Sequence, residues 1–343
     1  MLSDVSIIIP TKDRQITVQE VLDYYEGTNA NIIIADASDT AMENGVLQRK
    51  NLRVTYFSDT TRSFIDRVNY SFQFIDTPYT VLRADRRHIA TTGIRSVCDF
   101  LNANHDYSTA QGRWYVFDNG CILKRYTAYS ETFVSEIEDT DERVKKTMAI
   151  FTSTMYAVYR TETFKDVMSF FRDIKTGVII ELCAHMLSMY SGKHKSLPVP
   201  YAFIAPYEAC RPFSKRLTSG NYTTQTEQLE QWPDLGHRIA SHLGLDDPKA
   251  SALFDEALEI YYMAFFAYTE TNDCNLTLAN RFFSPYFDKV FSWYAPLILK
   301  KVLHQIERHP ADDLFNELSE VQKRDLLAIL ALGRIRVTDD STQ

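Results

Sequence analysis

The sequence has little of what disulfide-rich or membrane-spanning proteins depend on. It contains five cysteines, no two of them in a CxxC arrangement, and the odd number leaves one unpaired in any disulfide scheme. No apolar run reaches the length of about 18 residues that a membrane span requires. The first residues, MLSDVSIIIP, lack the basic segment of a secretion signal. These absences predict a soluble protein of a reducing compartment, the cytoplasm.

Basic residues are outnumbered, with 37 lysines and arginines against 45 aspartates and glutamates, so the formal net charge is −8. Because such a chain repels a polyanion, a nucleic acid is not an expected partner. Hydrophobic residues make up 45% and charged residues 24% of the chain, close to the average of globular proteins. A length of 343 residues with this composition predicts about two globular domains.

The first part of the chain alternates short β-branched runs with helical patterns, which predicts a parallel sheet with crossover helices, the α/β class. We expect strands at 5–9, where Pro10 ends the run, and at 31–35, 52–57 and 79–82. We expect helices at 16–25, 63–74 and 92–101.

The later part of the chain changes character. Residues 107–160 are predicted to be rich in strands, helices are expected at 163–171 and 178–190, and residues 197–222 have the composition of loops. From Asp234 onward the patterns are helical, at 250–268, 286–307 and 314–332. The polar segment 219–231 is the linker candidate, so the expected domains are 1–218, α/β, and 225–337, α-helical.

Polar residues follow three of the predicted strands at the point where each ends, at 10–14 (PTKDR), 36–39 (DASD) and 85–87 (DRR). The carboxyl ends of parallel strands open into the crevice where such folds bind ligands. A carboxylate there can accept hydrogen bonds from a base or ribose, and an arginine can pair with a phosphate. Each segment alone is typical of a helix cap or a turn. The three together predict a nucleotide site.

Several motifs resemble the N-terminal half of the family-2 glycosyltransferases, the inverting class with the GT-A fold. They are VSIIIPTKDR, IIIADASD, TPYTVLRAD, GIRSVCDFL, NHDYSTAQG, STMYAVYRTETF and IIELCAHMLSMYSGK, and they span roughly residues 4–215. The resemblance implies a Rossmann-like GT-A domain with a mostly parallel sheet at 1–218, whereas the helical part at 225–337 resembles no family. The similarity is greatest to a bacterial subgroup, which implies a role in bacterial polysaccharide biosynthesis.

The resemblance also implies which residues bind the nucleotide-sugar donor. Asp36 matches the carboxylate that binds the base. Arg67 lies where the family often places a basic residue near the diphosphate. The other implied donor-binding residues are Pro10, Thr11, Asp13, Arg14, Ser38, Arg83 and Asp85.

Glu181 is the implied catalytic base. It stands eleven positions before Gly192, the spacing at which the family places a catalytic carboxylate. A carboxylate there removes the proton of the acceptor hydroxyl for attack on the anomeric carbon. The alternative is that Glu181 is a first-turn helix acid stabilised by the helix dipole.

The sequence departs from the family at the acidic cluster that holds a divalent cation on the diphosphate. Asp85 is kept as the one metal-ligating position, but Arg86 and Arg87 follow it. Two guanidiniums repel a cation, so we expect Mg²⁺ or Mn²⁺ to bind weakly or not at all. Arg86 and Arg87 would then be catalytic residues that stabilise the leaving diphosphate.

Three functions remain open on these observations. The first is a glycosyltransferase that uses a nucleotide-sugar donor and a glycan, lipid-linked or small-molecule acceptor. The second is a catalytically silent GT-A fold that binds a nucleotide or a partner. The third, a nucleotidyltransferase, is disfavoured because none of the 11 glycines cluster after the first strand. The aromatic C-terminal helices are typical either of a core or of a homodimer face, and any membrane contact is expected to be peripheral.

Overall fold

A computed structural model describes residues 1–84, 87–118, 121–126, 133–172, 177–204, 234–245, 247–270, 319–325 and 328–329. Within these ranges the strands are β1 (Val5–Thr11), β2 (Asn31–Asp36), β3 (Arg53–Ser58), β4 (Tyr79–Leu82), β5 (Arg87–Ile89), β6 (Tyr107–Asp118), β7 (Cys121–Tyr126), β8 (Val158–Arg160) and β9 (Lys193–Ile204).

The helices alternate with these strands in the first half of the chain and follow them in the second. They are α1 (Gln15–Tyr25), α2 (Asn44–Leu47), α3 (Phe64–Tyr70), α4 (Thr91–Ala103), α5 (Thr140–Ala149), α6 (Thr161–Ser169), α7 (Gly177–Ser191), α8 (Leu235–His242) and α9 (Pro248–Glu270). Two short 3₁₀ turns occupy Ser71–Phe74 and Val134–Glu136.

The strands form one mixed sheet in the order β3-β2-β1-β4-β8-β6-β9-β5, with β7 paired to β6. Strands β1 to β4 are parallel to one another, as are β6 and β9, while β8 is antiparallel to both β4 and β6. The predicted α/β class is confirmed. Because β2 and β4 flank β1 on opposite sides, the chain reverses its direction of strand addition at β1, and such a point is where α/β sheets bind ligands.

The first strand extends further than the sequence predicts, through Pro10 to Thr11. β4 pairs with β1 only as far as Ile8, where Arg83 N donates to Ile8 O at 2.9 Å. Pro10 therefore lies where β1 has a neighbour on one side only, and a missing backbone N–H is tolerated there.

Each face of the sheet is covered by a separate apolar cluster. One cluster contains side chains of α1 and α4, and the other contains those of α3 and α5 to α9. Leu235, Ile239 and Phe254 belong to the second cluster, together with Ile8 and Ile33 of the sheet. Helices α8 and α9 thus pack into the same core as the strands.

Two elements contradict the prediction for residues 107–222. Residues 140–149 form helix α5 within the region expected to contain strands, and residues 193–204 form strand β9, which overlaps the region expected to be loops. Pro198 lies where the β6–β9 register shifts around Gly112, and strand prolines are tolerated at such irregularities. A Cβ on Gly112 would lie 2.4 Å from Val199 O, so only glycine allows this approach.

The predicted polar loop after β4 also differs, because Arg87–Ile89 is a short strand antiparallel to β9. No helix in the described ranges is long and apolar enough to cross a membrane.

Candidate functional site

Asp36 ends β2 and is fully buried, with both carboxylate oxygens hydrogen bonded. Its Oδ1 accepts from Ser38 N at 2.9 Å and from Ser38 Oγ at 2.5 Å, and its Oδ2 accepts from the Tyr56 hydroxyl at 2.9 Å. A carboxylate offers about four acceptor positions. One acceptor position on Oδ2 is therefore unused among the described residues.

Tyr56 holds this carboxylate from the neighbouring strand. Its hydroxyl also accepts a 3.0 Å hydrogen bond from Met42 N, which fixes its orientation toward Asp36. Burial raises the pKa of the Tyr56 phenol above its usual value, and the neighbouring Asp36 carboxylate adds to this. Tyr56 is therefore a neutral donor at physiological pH.

Ser38 connects the loop after β2 to the loop after β1. Its Oγ accepts a 2.7 Å hydrogen bond from Asp13 N, and Ala37 N donates to Thr11 O at 2.9 Å. Asp13 has a φ of 55°, a left-handed conformation that aspartate tolerates better than most residues. The structure therefore brings together Thr11, Asp13, Ser38 and Asp36 at one edge of the sheet.

Pro10 and Arg14 flank this group. Pro10 is buried within β1, and Arg14 is half-buried at the N-cap position of α1.

Arg67 on α3 is a buried cation that faces the same edge. Only 8% of the residue is exposed, and one guanidinium nitrogen donates to Arg62 O at 2.7 Å. Within the described part of the chain its buried Nε has no hydrogen-bond partner. Burial lowers the pKa of the guanidinium, and the carboxylates of Asp36, Asp59 and Asp66 oppose that shift. A buried guanidinium with unused donors is suited to an anionic ligand.

The loop after β3 presents the carbonyl that Arg67 contacts. Asp59 Oδ1 accepts from Thr61 N at 2.9 Å and from Arg62 N at 3.1 Å, and this turn orients Arg62 O. Ser63 then caps α3 by accepting from Asp66 N at 3.1 Å. Residues 59–63 thus determine where α3 begins and where Arg67 lies.

Arg83 follows β4 but lies apart from this group of residues. It is 1% exposed, and its guanidinium lies against the Tyr25 hydroxyl on the side of the sheet that α1 covers. Tyr25 in turn donates to Ile89 O at 2.7 Å. The predicted contact of Arg83 with the donor remains a prediction.

The altered acidic cluster is only partly covered by the structure. Asp85 and Arg86 lie outside the described residues, and of Arg87 only the backbone is described, paired with Ile204. The described residues contain no group of three His, Cys, Asp or Glu side chains that could hold a metal ion. The expected roles of Asp85, Arg86 and Arg87 therefore stay predictions.

Glu181 lies in the second turn of α7, which begins at Gly177 and has no acid in its first turn. The alternative interpretation of Glu181 as a first-turn acid is therefore wrong, because the dipole effect falls off within that turn. Glu181 is half-buried, and its carboxylate has no hydrogen bond or ion pair to any other described residue. Such an unengaged carboxylate is available to accept a proton.

The C-terminal half of α7 is anchored near the amino edge of the parallel strands, at the end opposite to Glu181. Near the other end of α7, Ser188 O accepts from Ser108 Oγ at 2.9 Å, at the start of β6. Because β6 is antiparallel to β8 and β8 to β4, the start of β6 lies at the amino edge of β1 to β4. Glu181 precedes Ser188 by seven positions, about 10 Å along the helix axis, so it lies at the end of α7 remote from this contact.

Sequence reasoning missed Tyr56 and the turn at 59–63. Tyr56 lies within a predicted strand, where a tyrosine side chain usually packs in the hydrophobic core. The turn carries a recognisable signal, since Asp59 and Ser63 are residue types that cap turns and helices.

No protein-family model matches the chain, and no curated protein matches it. Solved structures of TarS from S. aureus are similar to it. TarS 1–349 is 13% identical, with 98% of this chain and 92% of that chain covered and a TM-score of 0.48. The structure of TarS 1–349 in complex with UDP has a TM-score of 0.49, and the structure in complex with UDP-GlcNAc has a TM-score of 0.48. Identity and coverage are the same for both. A longer TarS chain is 14% identical, with 96% of this chain and 54% of that chain covered.

Proposed function

We propose that the protein is an inverting glycosyltransferase that moves a sugar from a nucleotide-sugar donor to a hydroxyl acceptor. The observation that carries the proposal is that a buried carboxylate, Asp36, and a buried guanidinium, Arg67, interact electrostatically near the carboxyl ends of the parallel strands. Asp36 is a buried acceptor with a position left for a ligand, and Arg67 is a buried cation with an unpartnered Nε among the described residues. A nucleoside diphosphate combines the donor groups and the negative charge that these two residues require.

Glu181 supports transfer chemistry in addition to binding. In the proposed reaction its carboxylate takes the proton of the acceptor hydroxyl as the oxygen attacks the anomeric carbon and the bond to the diphosphate breaks. Attack opposite the leaving group inverts the anomeric configuration. The proposed acceptor is a glycan, a lipid-linked saccharide or a small metabolite.

The leaving diphosphate needs positive charge as the glycosidic bond breaks. The residues present do not fit a divalent cation in the usual carboxylate cluster, because Asp85 is followed by Arg86 and Arg87. We therefore propose that Arg86 and Arg87 supply the charge. No step of the proposed reaction passes through a metal ion.

A donor panel tests the proposal. The protein is incubated with UDP-, GDP-, CDP- and dTDP-linked sugars, with UDP-GlcNAc first, and release of the nucleoside diphosphate is measured with and without hydroxyl acceptors. Slow hydrolysis of one donor, lost in Glu181→Gln, is the expected result. Nucleotide binding without turnover on any donor would favour the silent fold, and the absence of both would refute the proposed site.

A further inference from the structure

A carboxylate from the C-terminal part of the chain caps a helix of the sheet domain. Asp325 Oδ2 accepts from Thr92 N at 2.9 Å, from Thr92 Oγ1 at 2.6 Å and from Thr91 Oγ1 at 3.2 Å. Its Oδ1 accepts a hydrogen bond from the Tyr24 hydroxyl of α1. One side chain thus contacts two helices that lie more than two hundred residues earlier in the sequence.

Helix α4 has no cap of its own. Its N-cap residue is Ala90, no side chain at that position accepts a hydrogen bond, and its first turn contains no acid. The first amides of a helix lack partners within the helix and favour a negative charge. Here Tyr24 accepts from Thr91 N at 3.2 Å, and Asp325 accepts from Thr92 N. Asp325 therefore supplies the missing cap.

Strand β5 directly precedes the capped residues and begins at Arg87, one of the two arginines proposed to stabilise the leaving diphosphate. Its last residue, Ile89, accepts the Tyr25 hydroxyl at 2.7 Å. Ala90 N donates to Tyr201 O at 2.7 Å. The rings of Tyr24 and Tyr25 pack edge to face with centroids 5.0 Å apart. Successive contacts to Ile89, Ala90, Thr91 and Thr92 thus fix this segment, and the contacts to Thr92 come from Asp325.

The segment that carries Asp325 has a defined helical start. Residues 320–325 are helical, and Ser319 and Gln322 form a capping pair in which Ser319 N donates to Gln322 Oε1 at 3.0 Å. Lys323 and Glu320 form an exposed ion pair at 2.8 Å on the same helix. That pair provides a control site that does not contact α4 in the described structure.

We propose that Asp325 is a positioning residue that fixes the start of α4 and, through β5, the backbone of Arg87 for transfer. The proposal rests on the proposed glycosyltransferase function, since it concerns that site. Asp325 acts through the backbone of residues 87–92 and does not itself touch the donor. The residues proposed to bind the nucleotide around Asp36 lie at the ends of β1, β2 and β3 and do not contact Asp325, so we expect nucleotide affinity to change little when this contact is lost.

The test compares Asp325→Asn with wild type in the full chain. An amide in place of the carboxylate turns one acceptor into a donor that faces Tyr24 or Thr92. We expect faster hydrogen exchange at the Thr92 amide and a kcat lowered about 10- to 100-fold, since small displacements of catalytic groups have such effects. We expect the affinity for the nucleoside diphosphate to stay within about twofold. Lys323→Ala is the matched control and should change neither the exchange at Thr92, nor kcat, nor the affinity for the nucleoside diphosphate.

Thr92→Val provides a second variant that removes one donor and keeps the shape of the side chain, for use if Asp325→Asn fails to fold. Thr92→Val should also lower kcat. In the double variant, the two effects should not add, because both substitutions disrupt the same contact. Unchanged exchange at Thr92 in Asp325→Asn would overturn the contact, and faster exchange with wild-type kcat would overturn the positioning role. A wild-type protein without turnover on any donor would refute the proposed function and the positioning role with it, and the exchange measurement would still decide the contact.

Discussion

Tyr56 of β3 donates a 2.9 Å hydrogen bond to Oδ2 of Asp36, the last residue of the adjacent strand β2. Together with Ser38, which binds Oδ1, it holds the carboxylate in one orientation before any ligand arrives. Because the carboxylate is already ordered, binding a ligand costs less side-chain conformational entropy. The hydrogen bond therefore links the packing of β2 and β3 to the proposed recognition of a nucleotide.

Removing the Tyr56 hydroxyl should affect both stability and binding. We expect Tyr56→Phe to lower the free energy of unfolding by about 0.5–1.5 kcal/mol, the net contribution of one hydrogen bond, and to weaken nucleoside binding severalfold. Urea denaturation and calorimetry measure the two effects. Tyr70→Phe is the control, because the Tyr70 hydroxyl has no hydrogen bond to other described residues. Equal losses in both variants would contradict the role of Tyr56.

The elements with strong periodicity were predictable from the sequence. Strands β1, β2 and β4 are mainly apolar because both faces are covered, and these strands and the half-buried edge strand β3 were placed to within two residues. Helix α5 was missed because it is largely polar, although Asp139 and Glu142 form a cap signal at its start. Strand β9 was missed because Pro198 and Pro200 indicate loops unless a register shift accommodates them.

The candidate site was predictable where single residues follow strand ends, as with Asp36 and Ser38. Long-range contacts were not predictable. Nothing near Asp325 in the sequence indicates that its carboxylate caps α4, since that contact depends on how the helices dock. The burial of Arg83 against Tyr25 likewise depends on the packing of α1 under the sheet.

Replacing Glu181 tests the proposed proton transfer. Glu181→Gln keeps the volume but removes the proton acceptor, so kcat should fall by about 10²–10⁴-fold while donor affinity stays unchanged. Steady-state kinetics with the donor that the panel selects provide the measurement. Glu162→Gln on the neighbouring helix α6 is the control, since Glu162 is exposed and pairs only with Lys165 among described residues. Near-normal turnover in Glu181→Gln would exclude Glu181 as the base.

A chelator tests the proposed source of positive charge. Transfer should survive EDTA, and added Mg²⁺ or Mn²⁺ should stimulate it little, because Arg86 and Arg87 are proposed to stabilise the leaving group. Arg87→Ala should lower kcat more than it weakens donor binding, because the charge on the diphosphate is largest in the transition state. Activity abolished by EDTA and restored by Mn²⁺ would contradict this mechanism.

His194, which is not part of the candidate site, makes the free energy of unfolding depend on pH. It is fully buried, its Nδ1 is 2.8 Å from Thr109 Oγ1, and burial lowers its pKa to about 3. Below about pH 6.5 the unfolded chain binds a proton that the folded chain does not, so folding stability falls as the pH drops toward 3. The loss attributable to His194 approaches about 1.4 kcal/mol per pH unit in that range.

Urea denaturation at pH 7 and pH 5 measures this contribution of His194 to the free energy of unfolding. Because carboxylates also titrate, the informative quantity is the difference between wild type and His194→Gln. Wild type should lose more stability than His194→Gln between the two pH values. His105→Gln, at an exposed position, should behave as wild type does. Parallel losses in wild type and His194→Gln would show that His194 is not held neutral.

The role of Arg67 is tested most directly by calorimetric titration of a nucleoside diphosphate and its parent nucleoside, with UDP and uridine as the first pair. Arg67→Gln should weaken diphosphate binding by about 10- to 100-fold, the loss of a charge-assisted hydrogen bond, and leave nucleoside binding unchanged. Arg53→Gln, which breaks an exposed ion pair with Asp76 at the opposite edge of the sheet, should bind both ligands as wild type does. Wild-type affinity of folded Arg67→Gln for the diphosphate would contradict the proposed site.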